Sequence, residues 1–102
     1  METTHPAQVL PFLYIGSKAH AKNRALLRSL NVKRIINATP TRSLDPNGGV
    51  PNFWEKEGGI TYKRVPVYDN RGEGLSAHLN SSISFIEQGK YYGSVLVHCR
   101  QG

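Results

Sequence analysis

One cysteine, one tryptophan and one methionine occur in 102 residues. A single cysteine excludes an internal disulfide framework and any four-cysteine zinc site, which leaves Cys99 as either a small buried hydrophobe or a reactive thiol. Acidic residues are also scarce: seven Asp and Glu stand against thirteen Lys and Arg, a net charge of +6. Such a balance favours anionic partners through long-range attraction. The basic residues are nevertheless spread along the chain, from Lys18 to Arg100, with no run resembling a nucleic-acid arm. They are read as solvated surface, and nucleic acid is not the expected partner. No apolar run is long enough to cross a bilayer, and the start METTHPAQ lacks the basic-then-apolar order of a signal peptide. The expected location is therefore the cytoplasm, with the nucleus open, and no membrane contact is expected.

What the chain does contain is an alternation of short apolar runs and amphipathic stretches, within the length of one modest domain. Residues 1–8 read as a polar tail and 9–102 as the domain. The run VLPFLYIG at 9–16 suggests a strand or strand pair, with Pro11 marking an edge. Ser17 is the expected N-cap of a helix over 18–30, whose apolar face carries Asn23, Leu26, Leu27 and Leu30, and Asn31 can end it in a left-handed conformation. The β-branched run at 32–38 predicts a buried strand. Residues 40–52, with Pro40, Pro46, Pro51 and Asn47-Gly48-Gly49, read as an exposed turn-rich connection. One helical turn is expected at 53–57, its aromatics anchored in the core and Gly58-Gly59 stopping it. A strand over 60–67 leads to the glycine-containing loop 68–74. Ser76 is the expected cap of a second helix with Leu79, Ile83, Phe85 and Ile86 on its apolar face, and Gly89 and Gly93 mark its exit. The apolar run at 94–97 predicts a central strand, covered on both faces in a complete domain. Alternating strands and helices give an α/β class with a largely parallel sheet flanked by helices, whose ligands bind beyond the carboxyl ends of the strands.

Cys99 follows that central strand directly. To attack phosphorus at neutral pH a thiol must be ionised, which means lowering a pKa of about 8.5 with helix N-terminal N–H groups, cations or hydrogen bonds. A cysteine entering a tight loop with a glycine lets successive backbone N–H groups turn inward as an anion nest. His98 is placed to brace such a loop. Expelling an alkoxide or phenolate also needs a proton donor. Asp69 is the candidate, on a polar loop after one strand and separated from Cys99 by one helix and one strand, as an α/β crossover requires. For each residue a plainer reading stays open: an inert buried thiol for Cys99, a turn-forming residue for Asp69, a satisfied core histidine for His98. Metal binding is not expected, because adjacent strand-end residues point apart and no other ligand pair is evident. No cofactor is expected either.

The segment VLVHCRQG at 95–102 resembles the opening of the cysteine-phosphatase signature HCxxGxxR, and the chain from Val9 onward is similar to the dual-specificity branch of protein tyrosine phosphatases. LPFLYIGS at 10–17 resembles that branch's entry strand, 32–39 its next strand, YKRVPVYD at 62–69 the segment delivering the general-acid aspartate, and 81–87 the helix before the nucleophile strand. The resemblance implies a phosphotyrosine phosphatase-like α/β fold and hydrolysis of phosphotyrosine and phosphoserine/threonine in protein substrates. It implies that Cys99 forms a phosphocysteine, that Asp69 acts as acid and then base, and that the amides of Arg100, Gln101 and Gly102 bind phosphate. The signature arginine, six positions after the cysteine, would fall beyond Gly102. The expectation is therefore a chain cut inside its phosphate loop and lacking the C-terminal helices, inactive by itself, with central strand 94–97 bare on one face and prone to self-association. A catalytically dead phosphate-binding scaffold and a rhodanese-like sulfur carrier remain the alternatives.

Overall fold

The computed structural model describes residues 5–66 and 75–99. Five strands form one sheet in the order β1-β2-β5-β3-β4. β1 (Ala7–Leu10) and β2 (Leu13–Gly16) form the expected strand pair, an antiparallel hairpin with exposed Pro11 in its turn and β1 at the sheet edge. But β1 begins at Ala7, inside the segment read as a polar tail, because Ala7 and Gln8 pair with Ile15 and Tyr14. The other neighbours are parallel: β2 with β5 (Ser94–His98), β5 with β3 (Val32–Asn37), and β3 with β4 (Thr61–Arg64). The apolar run at 94–98 thus takes the central position, where both neighbours satisfy its backbone.

The single helix expected over 18–30 is two helices, α1 (Lys18–Lys22) and α2 (Arg24–Ser29). The break lies at Asn23, whose backbone is extended and whose side-chain oxygen accepts a hydrogen bond from the Leu26 N–H, 3.1 Å. Asn competes with the helix in this way because its short side chain can satisfy an orphan donor at a new N-terminus. Ser17 does start α1, and its N–H donates to Nδ1 of His20, 2.9 Å. Asn31 takes the expected positive φ of 56°. The third helix, α3 (Leu75–Gly89), begins one residue before Ser76, so Ser76 lies inside its first turn and is not the cap.

One face of the sheet packs Ile35 and Leu96 against Ala21, Leu27, Val32 and Ile60, with Tyr14, Leu30, Phe53, Trp54 and Tyr62 around them. Trp54 is anchored as expected of a core aromatic: its backbone N–H donates to the Tyr62 hydroxyl, 3.0 Å, and its indole N–H to the Ala21 carbonyl, 3.2 Å. Burial drives the Tyr62 pKa above its ordinary value of 10.0. Gly58 and Gly59, both at positive φ, stop the short 3₁₀ turn Glu55–Glu57 as their type allows.

α3 covers the opposite face, where Gly89 lies so close to Val95 that an added Cβ would meet its Cγ2 at 2.5 Å. Val95 and Leu96 point to opposite faces and are 0% and 1% exposed. The bare face expected on the central strand is therefore absent at these two positions, because α3 supplies the cover. Among the described residues, large exposed apolar residues lie instead on the hairpin, at Val9, Leu10 and Ile15, on α3 at Ile83, and at Leu44, Tyr91 and Tyr92. Ile83 thus departs from the buried stripe expected of this helix, on which Phe85 and Ile86 are half-buried. Part of the 40–52 connection is also less exposed than expected, since Pro40, Gly48 and Val50 are buried.

Candidate active site

The parallel strands end together, and their register lines up Gly16, His98, Asn37 and Arg64 across the sheet. Cys99 is the first residue beyond this row and is exposed. Its backbone is held from two sides. The His98 carbonyl accepts a hydrogen bond from the Ala38 N–H, 2.9 Å, which extends the ladder to the last residue of β5. The His98 ring then reaches forward, with Nδ1 2.9 Å from the Cys99 carbonyl oxygen. A carbonyl only accepts, so Nδ1 carries the proton and the neutral ring leaves Nε2 without one.

His98 is 1% exposed, and among the described residues its Nε2 has no hydrogen-bond partner. Burial therefore lowers its pKa below 6.5; the bond to the Cys99 carbonyl works the other way, and the nearby Arg64 cation adds to the lowering. The imidazole is held neutral, as a brace that fixes the carbonyl beside the cysteine. His98 faces the interior while Cys99 faces solvent, which is how successive strand residues diverge. Among the described residues no group of three metal-ligating side chains occurs.

Beside this brace stands a buried polar cluster that sequence reasoning missed. Asn37, 0% exposed, donates through Nδ2 to the Val50 carbonyl, 2.7 Å, and to Oδ1 of Asn52, 2.9 Å. Its Oδ1 accepts from the Thr39 N–H, 3.1 Å, and from the Thr39 hydroxyl, 2.6 Å. Arg64 joins from β4, its Nη1 donating to the carbonyls of Thr39, Pro40 and Val50 at 3.1, 2.8 and 3.0 Å. The available signal was an Asn closing an apolar strand run: a polar side chain at a buried strand end must find partners.

Of the expected site residues, the structure thus describes Cys99 and His98 and brings them together at the end of β5. Asp69, Arg100, Gln101 and Gly102 lie outside the described residues. The chain leaves β4 for the Asp69 segment at the same end of the sheet at which β5 delivers Cys99, because the two strands run in the same direction.

Comparison with known proteins gives one consistent answer. The family model for the dual specificity phosphatase catalytic domain matches residues 13–102. Human dual specificity protein phosphatase 9 is 35% identical over 103 residues, covering 100% of this chain and 25% of its own length. Human dual specificity protein phosphatase 1 is 37% identical over 98 residues, covering 95% of the chain and 24% of its own length. The chain thus spans about a quarter of the length of these curated relatives. Among solved structures, human DUSP28 superposes with a TM-score of 0.71 at 26% identity, over 92% of this chain and 59% of that one. A mouse putative dual specificity phosphatase complexed with zinc tungstate gives 0.74 at 27% identity, over 100% and 60%.

Proposed function

The chain belongs to the dual specificity phosphatase catalytic-domain family, and from that premise we propose that it carries the nucleophile and acid of a phosphatase acting on phosphotyrosine and phosphoserine/threonine in proteins. The observation that carries the reading is an exposed Cys99 at the carboxyl end of the central strand, with its backbone held by His98. The mouse relative's complex with tungstate, a tetrahedral oxyanion like phosphate, supports an oxyanion site in this fold.

In the proposed reaction the Cys99 thiolate attacks phosphorus, and the bond to the leaving oxygen breaks as Asp69 gives that oxygen its proton. The phosphoryl group now rests on Sγ. Asp69, left as a carboxylate, takes a proton from water as that water attacks phosphorus, and phosphate departs with the thiolate restored. The backbone amides of Arg100, Gln101 and Gly102 hold the phosphoryl oxygens throughout, and His98 keeps the entrance to that loop rigid. Preorganised donors of this kind usually contribute more to the rate than any other single effect. Residues 1–102 contain no arginine six positions after Cys99, and bidentate clamping of the phosphoryl oxygens depends on such a group. By themselves they are proposed to turn over no substrate. A phosphate-binding scaffold would keep the loop without the chemistry.

The test is Cys99→Ser in a protein that carries residues 1–102 together with the family's arginine. Turnover of an aryl phosphate should fall to background while phosphoester binding survives, since a hydroxyl is a far weaker nucleophile at neutral pH. A serine variant that works near the wild-type rate would exclude the phosphocysteine route.

A further inference from the structure

A cleft of about 490 Å³ opens beside the end of β4, lined among the described residues by Arg42, Lys56, Arg64 and Glu55, with Phe53 and Pro51 as apolar wall. Three cations meet there against one carboxylate, and that carboxylate already accepts a hydrogen bond from the Asn52 amide, 3.3 Å. The cations come from separate segments, so the chain folds like charges toward one another. Arg64 is half-buried and fixed, because its Nη1 is the nitrogen that bonds the Thr39, Pro40 and Val50 carbonyls and the Thr39 hydroxyl. Holding the 39–50 segment thus occupies one nitrogen of a five-donor group. Arg42 and Lys56 are exposed and add positive potential to the cleft.

We propose that this cleft is a second anion site, which takes an acidic side chain of the substrate polypeptide a few residues from the phosphorylated one. The proposal rests on the phosphatase reading and adds a substrate class to it. Register sets the spacing. Asn37 pairs with His98 on one side and with Arg64 on the other, so Arg64 stands two strands from the residue preceding Cys99. Strands about 4.8 Å apart make that roughly 10 Å, the span of about three extended residues. Arg42 and Lys56 share the cleft with Arg64, and their long side chains widen that span, so the acidic residue belongs about three to five positions away. The Phe53 and Pro51 wall suits the methylene stem of a glutamate, and its carboxylate meets the cations. An oligonucleotide would need a longer basic track than this short cleft offers.

The experiment measures binding to the Cys99→Ser protein at low ionic strength by fluorescence anisotropy, with labelled phosphotyrosine peptides. One set carries Glu three to five positions from the phosphotyrosine on either side, a second carries Gln there, and a third carries phosphoserine. Unphosphorylated Glu and Gln peptides complete the series. The Glu phosphopeptides should bind about three- to tenfold tighter than the Gln ones, the range expected when two or three partly exposed ion pairs form. Arg42→Glu with Lys56→Glu should erase that difference, and the milder Arg42→Ala with Lys56→Ala should reduce it, circular dichroism confirming both folds. Phosphoserine matching or exceeding glutamate would support a general anion site. Equal affinity for Glu and Gln peptides, or a Glu preference that survives charge reversal, would overturn the proposal. If phosphorylation itself has no effect on binding, the phosphatase reading fails. The cleft is then judged on the unphosphorylated pair, where a Glu preference lost on charge reversal supports it and its absence overturns it.

Discussion

At the residue scale the decisive pair is His98 and Cys99, one turned inward and the other outward at the end of β5. His98 has a measurable signature. Its pKa in the folded chain lies below 6.5, chiefly through burial, so the unfolded state binds a proton that the folded state refuses. The linkage sign follows: stability from this group is fully present above about pH 6.5 and is lost as pH falls through the lower folded value. Urea denaturation between pH 7.5 and 5 should show wild-type stability falling with acid more steeply than that of His98→Asn, which cannot titrate. Parallel pH profiles would show that the ring is not held neutral. Asp69 calls for a kinetic test in the arginine-bearing protein. Asp69→Asn should slow aryl phosphates with poor leaving groups by about 10² to 10⁴, the usual worth of a positioned acid, and slow good leaving groups much less. Equal losses across the series would assign Asp69 to loop shape alone.

At the element scale, what holds the 39–52 segment over the strand ends is a set of hydrogen bonds centred on one buried amide, with little apolar packing beyond Val50. Asn37→Ala would leave the Thr39 N–H and its neighbours without partners in a buried setting, at a cost of about 2–4 kcal/mol. Asn37→Asp, which can still accept from Thr39 but cannot donate to the Val50 carbonyl, should fall between alanine and wild type. Equilibrium urea melts compare the three. Much of the architecture was legible from pattern: the apolar runs located β2, β3 and β5, whereas β1 starts at Ala7 inside the segment read as a tail and the strand expected over 60–67 is shorter, Thr61–Arg64. The break at Asn23 was not, because an asparagine on a helical apolar face reads as one tolerated polar residue until its oxygen is seen capping Leu26. Nor was the Asn37 cluster, since Val50 and Asn52 lie thirteen and fifteen residues from Asn37 across a segment without periodicity, and Arg64 comes from a different strand.

At the scale of the whole molecule, the parallel register gathers Cys99, the His98 brace and the basic cleft at one end of the sheet, and the path to Asp69 leaves from that end as well. That Cys99 stands beyond the strand ends could be inferred from the sequence because a parallel sheet presents the carboxyl ends of its strands together. The cleft could not, because it depends on how three separated segments converge. Among the described residues, large apolar side chains are exposed on the β1–β2 hairpin at Val9, Leu10 and Ile15, at Leu44, at Ile83 and at Tyr91 and Tyr92, while Val95 and Leu96 of the central strand are buried. The most direct measurement is of the covalent intermediate itself. In a protein that joins residues 1–102 to the family's arginine, rapid acid quench during turnover of an aryl phosphate, followed by proteolysis and mass spectrometry, should find one phosphoryl group on the peptide that contains Cys99. The signal should persist longer in Asp69→Asn, where water is no longer activated, and vanish in Cys99→Ser. Steady turnover with no phosphorylated Cys99 peptide at any quench time, or with the phosphoryl group on another residue, would contradict the assignment of Cys99 as nucleophile.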